Sequence, residues 1–150
     1  MVSTVIARTG AVVVTAAVVV GASAGSASAV AWGILDSYYN GIKRVQAKGD
    51  WFKHAGAYAR NDIILADPAN DGNNVLVNTV FRWWKGGEWV AGGSKSTNEY
   101  DFFSTPIATY VQKPLDADAS KARGAIKACA QMGWPVPDSC SDAAIVTFSY

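Results

Sequence analysis

The chain has 150 residues, half of them hydrophobic and 17 % charged, with 13 Lys and Arg against 12 Asp and Glu. That length is enough for one domain, and so even a charge balance argues against nucleic acid as a ligand, because phosphate binding rests on many uncompensated bases. A single His and two Cys are too few side chains for a zinc-type centre, so no metal and no cofactor is expected.

Residues 1–29 contain no Asp or Glu and one early base, Arg8, followed by the apolar run AVVVTAAVVVGA at 11–22. Crossing about 30 Å of hydrocarbon takes about 20 apolar residues, so this shorter run predicts a cleavable secretory signal peptide and not an anchor. Ala27-Ser28-Ala29 supplies the A-x-A cleavage pattern, and Ala29-Val30-Ala31 fits the same rule. Cleavage after Ala29 or Ala31 removes Arg8 and leaves a single secreted, extracellular domain, residues 30–150. It has twelve bases, twelve acids, all six Trp, six Tyr and five Phe, and no integral membrane segment.

Beyond residue 30, short apolar or alternating runs are separated by Gly, Asn, Asp and Pro, the punctuation of an antiparallel β protein. His54, the only imidazole, closes the stretch Asp50-Trp-Phe-Lys-His54, which reads as exposed or at a strand edge. A Ser-His-Asp arrangement would need it, but no G-x-S-x-G elbow accompanies it, so it is read as a solvated or capping residue. Gly56 to Ala66 is a predicted strand, and Asp67 to Asn74 (DPANDGNN) the loop leaving it. The loop's Asp-Gly step resembles a calcium loop, but Ala69 stands where a third-position ligand belongs and Asn78 where the closing Glu should be. A tight turn is expected there instead.

Val75 to Trp84 (VLVNTVFRWW) is a β-branched and aromatic strand. Lys85 to Glu88 follows as a four-residue hairpin loop, and Trp89 to Ser94 returns antiparallel. If Trp84 faces Trp89, strand alternation puts Val75, Val77, Thr79, Phe81 and Trp83 with Val90 on a core face. Asn78, Val80, Arg82 and Trp84 then share the opposite face with Trp89, Ala91 and Lys95. Two indoles flanked by Arg82 and Glu88 make the main candidate binding site, similar to the flat platforms with polar edges that hold sugar rings or other planar ligands. The structural alternatives are a cross-strand Trp pair that stabilises the hairpin with Arg82 stacked on an indole, or burial under a further strand or loop.

Gly92 to Ser96 (GGSKS) does not meet the G-x-x-x-x-G-K-[ST] order of a phosphate loop and reads as a strand end. Glu99 and Asp101 straddle Tyr100 and would share a face in an extended segment, as the acid and base of a glycoside hydrolase would. Nothing in the sequence buries either one, and an unperturbed carboxylate is a poor proton donor at neutral pH. No catalytic residue is assigned.

Further strands are expected at Ile107 to Gln112, Ala122 to Ala130 and Ala143 to Ser149. The segment DADASKARGAIKACA at 116–130 has helix-favouring composition with Ser120 as a capping candidate, but Gly124 weakens a helix, and strand is preferred. Six or seven short strands predict an all-β fold, an antiparallel β-sandwich or small barrel. Cys129 and Cys140 enclose a loop carrying Gly133, Pro135 and Pro137. In an oxidising compartment such a pair forms a disulfide, which removes about 3 kcal/mol of denatured-state freedom.

The segments Lys121-Ala-Arg-Gly124, Cys129-Ala-Gln-Met-Gly-Trp-Pro-Val-Pro-Asp-Ser-Cys140 and Thr147-Phe-Ser-Tyr150 resemble small secreted actinobacterial proteins that carry the same cysteine loop and a Trp-rich hairpin like 83–94. The resemblance covers about the last third of the chain plus that hairpin. It implies a compartment and a disulfide, and no catalytic or binding residue.

Three functions follow in order. The first is a secreted, non-catalytic module that binds carbohydrate or a cell-envelope polymer through Trp84, Trp89, Arg82 and Glu88. The second is a protein-interaction module, an inhibitor or antibacterial effector, with the 67–74 and 129–140 loops as its tips. The third is a small hydrolase, which would need Glu99, Asp101, Glu88 or His54 gathered in one cleft.

Overall fold

The computed structural model describes residues 28–101 and 104–150. Residues 1–27, with the apolar run and nearly all of the expected signal peptide, lie outside the described residues, as do residues 102–103. Among the described residues no helix is long and apolar enough to cross a membrane.

The chain folds as a β-sandwich of antiparallel strands: β1 (Val30–Tyr39), β2 (Ile42–His54), β3 (Tyr58–Ala66), β4 (Val75–Lys85), β5 (Glu88–Ser96), β6 (Ile107–Pro114), β7 (Lys121–Ala130), β8 (Ser139–Cys140) and β9 (Ala144–Ser149). One sheet has the order β1-β2-β3-β6. The other runs β5-β4-β7, with β9 and β8 following one another along the free side of β7.

Every strand expected from the sequence is present, with ends displaced by a few residues. The 116–130 segment is strand, and Gly124 has a packing reason to be there: a Cβ on it would come within 3.2 Å of the Trp51 ring. β1, β2 and the two-residue β8 are not among the expected strands, which is why nine are described instead of six or seven; only β1 and β2 are long. Their signal is nevertheless local. Asn40 and Gly41 take φ of 51° and 75°, the left-handed pair of a two-residue hairpin turn. Val45, Ala47 and Trp51 are buried while Lys48 and Asp50 between them are exposed, the period of a half-buried strand.

Between the sheets, Trp51 packs against Phe81 at 5.4 Å and Phe148 at 5.7 Å between ring centroids. Beside this aromatic centre runs a buried polar strut. Trp32 Nε1 donates to Asn61 Oδ1 at 2.7 Å, and Asn61 Nδ2 donates to Thr79 Oγ1 at 3.0 Å, joining β1 and β3 to β4 across the core. Trp32 sits at a bulge in the β1–β2 pairing, and its ring occupies the space beside Gly49 that a side chain there would fill.

The inward face expected for β4 is observed: Val75, Val77, Thr79, Phe81 and Trp83 are all buried. Two details of the hairpin differ from expectation. Lys85 pairs with Glu88, so the loop is a two-residue turn of Gly86 and Gly87, with φ of 61° and 88°. A bulge between Phe81 and Arg82 then puts Lys95 opposite Thr79, off the outward face where simple alternation placed it. Gly92 permits that bulge by lying against the Trp83 indole, where a Cβ would meet Nε1 at 2.7 Å.

The Cys129–Cys140 disulfide forms, with a sequence separation of 11. Its loop is tied to the other sheet by Ser139, whose Oγ donates to the Tyr38 carbonyl at 2.8 Å and lies 2.7 Å from Ser37 Oγ.

Candidate functional site

The outward face of the second sheet carries the expected cluster. Trp84 and Trp89 are direct cross-strand partners, with ring centroids 5.2 Å apart and planes at 62°. The edge-to-face arrangement is a favoured geometry for an aromatic pair, and it leaves no flat two-ring platform. The cation on the indole is not Arg82. Arg123 of β7 lies over Trp89 at 3.9 Å from its centroid, and Lys121 over Trp84 at 5.7 Å. Arg82 is exposed and stands directly opposite Arg123 in the β4–β7 ladder. Glu88 is exposed at the hairpin turn, opposite Lys85.

Arg123 and Lys121 were legible only through strand pairing. Each points outward by the alternation of β7, but which β4 residues they meet depends on the register, Trp84 with Lys121 and Arg82 with Arg123. Lys85 itself is held by Asp118 and Asp116, at 2.9 and 3.4 Å, and these partners raise its pKa above the ordinary lysine value, the hydrogen bond to Asp118 foremost.

The outer face of the first sheet is chemically different. It holds an open trough of about 310 Å³ over Gly49, lined by Asp50, Arg60, Asp62, Ile64 and Tyr110. Arg60 pairs with Asp62 and lays its guanidinium 3.9 Å from the Tyr110 ring centroid. Nearby, Lys43 binds Asp36 at 2.9 Å. Burial works against ionisation of Asp36, but the hydrogen bonds from Lys43 and Gln46 outweigh it and hold the carboxyl below the usual carboxylate range. Acids and bases are thus interleaved on this face, with Asp36 and Asp62 each paired to a base.

The end of the sandwich opposite the β4–β5 turn gathers the two loops named as tips. Gln131 N donates to the Asn74 carbonyl at 2.8 Å, and Asn74 Nδ2 donates to Gln131 Oε1 at 3.3 Å. Beyond them Trp134 projects with 97 % of its surface exposed, and Tyr38 and Ile42 are exposed at the nearby end of β1 and start of β2. The 67–74 loop is a turn built from its own side chains. Asp67 accepts from Asn70 N at 2.9 Å, while Asp71 accepts from Asn73 N at 3.1 Å and pairs with Arg44. No group of three or more His, Cys, Asp or Glu gathers among the described residues.

The carboxylates considered for hydrolysis are divided between the two ends. Glu99 accepts from Asn74 Nδ2 and Gln131 Nε2, at 3.2 and 2.9 Å, and its neighbour Tyr100 bridges to Val75 at the start of β4. Glu88 lies at the far end of that eleven-residue strand. His54 ends β2 opposite Tyr58 and contacts Phe52 edge-on, centroids 6.1 Å apart. Asp101 is exposed beyond Tyr100. One cleft does not hold the four.

No known protein family matches the chain, and no curated protein or solved structure does so either.

Proposed function

We propose that the chain is exported and that residues 30–150 act as a non-catalytic binding module for a polysaccharide or other cell-envelope polymer. The ligand lies across the outward face of the second sheet, against Trp84, Trp89, Arg82 and Arg123, with Glu88 at its rim. The observation that carries this reading is an open sheet face on which two indoles and two guanidinium groups occupy adjacent ladder positions. Aromatic area with a few fixed polar donors is what orients a ligand on a protein surface. Cleavage after Ala29 fits this reading better than cleavage after Ala31, because Val30 and Ala31 are ladder partners of Trp51 and Asp50.

Titrating the protein with soluble polysaccharides and cell-wall fragments is expected to give a saturable change in tryptophan fluorescence. Trp84→Ala and Trp89→Ala are each expected to weaken binding about tenfold or more, the effect of losing roughly 1.4 kcal/mol. Folded variants that bind as tightly as the parent would sink the reading.

A second reading, an exported protein-interaction module, is favoured by Trp134. An indole 97 % exposed on a disulfide-closed loop is the type of side chain that dominates protein interfaces once it enters a pocket. Affinity capture from culture medium is expected to return a stoichiometric partner protein that Trp134→Ala loses by tenfold or more. Recovery of no partner counts against it.

A further inference from the structure

We propose that the ligand of the second sheet's outward face is an anionic glycan, one carrying carboxylate or phosphodiester groups. Arg82 and Arg123 take up its charge from adjacent strands. The inference rests on the binding-module reading above and adds the chemistry of the ligand.

The chain from residue 30 is formally neutral, but the fold separates its charge. The outward positions of β4, β5, β7 and β9 carry Arg82, Lys121, Arg123 and Lys127, together with Trp84 and Trp89, and no carboxylate, while Glu88 lies at the rim opposite Lys85. Among the described residues none of these four bases forms an ion pair, whereas on the first sheet Lys43, Arg44 and Arg60 do and Lys48, Lys53 and Lys113 do not. Like charges directly opposed on neighbouring strands destabilise a sheet. Arg82 and Arg123 are so opposed, and an anion bridging the two would convert that cost into a binding contact.

The geometry of Arg123 suits it to this task. Its guanidinium is stacked on Trp89 at 3.9 Å, and stacking uses the face of the group while its in-plane N–H donors stay available. Its Nε is buried and has no hydrogen-bond partner, so the contact to an anion falls to the terminal Nη groups. A planar guanidinium held in this way meets a carboxylate or phosphate in a two-pronged contact that lysine cannot reproduce.

The same face suits nucleic acid poorly. Single-stranded nucleic acid binds by stacking bases on free aromatic faces and by many phosphate contacts. Here each indole already has a cation over it, and the two rings meet edge to face.

The test compares polygalacturonate, its fully methyl-esterified form, polyglycerol phosphate and polyuridylate, titrated against protein produced from the full chain. Polygalacturonate or polyglycerol phosphate is expected to bind at least tenfold more tightly than the esterified polymer, and to weaken at least tenfold between 50 and 500 mM NaCl. The stronger of the two identifies the source of the anion. Arg82→Gln and Arg123→Gln should each lose tenfold or more, Arg123→Lys should recover only part of the loss, and Arg60→Gln on the other sheet should lose nothing. Arg82→Gln serves alone if the Arg123 variants do not fold. Equal, salt-insensitive binding of the free and esterified polymers would overturn this inference and leave the polysaccharide reading standing. Preference for polyuridylate, or no binding of any charged polymer while a neutral polysaccharide binds, would also overturn it.

Discussion

Gly49→Ala is expected to cost about 4 kcal/mol or more, the range reached when a buried backbone must move. A Cβ on Gly49 would lie 1.8 Å from the Asp62 carbonyl oxygen and 2.9 Å from Trp32 Cζ2. The first obstacle is main chain within the β2–β3 ladder, in which Gly49 is paired with Ile63, and Gly49 is paired with Gly33 on its other side. A flexible side chain could rotate away, but a ladder carbonyl cannot do so without parting the strands. Urea unfolding followed by tryptophan fluorescence measures the loss. Gly124→Ala is the informative comparison, because the nearest atoms to its Cβ would be those of the Trp51 ring, from 3.2 Å. There a shift of a few tenths of an ångström suffices, and about 1–3 kcal/mol is expected. Similar costs at the two sites would show that the Gly49 environment yields more easily than its geometry implies.

Asn61→Ala is expected to cost about 3 kcal/mol, through two orphaned partners as well as a void. Asn61 is fully buried, and it accepts from the Trp32 indole while donating to the Thr79 hydroxyl. Removing its amide strands the indole N–H in the core and takes a partner from Thr79. Asn61→Leu restores volume but not the partners, so it should recover little. The triple variant Trp32→Phe, Asn61→Leu and Thr79→Val removes every polar atom of the strut, and its loss of stability should be smaller than the sum of the three single losses, since exchanging a complete buried network for apolar groups is close to neutral. Additive losses would show that the three side chains contribute separately. The two predictions are linked: Gly49 vacates the space in which the Trp32 ring lies, and only from there does the indole reach Asn61.

The fold class was legible because strand period and turn chemistry are local. Alternation along Val75 to Trp83 named the inward face of β4 residue by residue, and the Lys85-to-Glu88 segment announced the hairpin, though its turn proved to be two residues and not four. The first hairpin was equally local in its Asn40-Gly41 turn, but the polar residues alternating along β2, with Gly49 among them, break any continuous apolar run. The candidate site was half legible. Trp84 and Trp89 meet across one short turn, so sequence distance fixes their pairing. Their cations come from β7, 37 residues beyond Trp84 and 34 beyond Trp89, and beside β4 only in the folded sheet.

What the sequence determined by itself was the β character, the core face of the central strand, the Trp pair and the cysteine bridge, since each depends on neighbours a few residues apart. Tertiary structure alone decided the Arg82–Arg123 opposition, the division of a balanced charge into one face of mixed sign and one basic face, and the Trp32–Asn61–Thr79 strut. Those features depend on the register between strands distant in the chain, and register is set by the simultaneous packing of both sheets against one core.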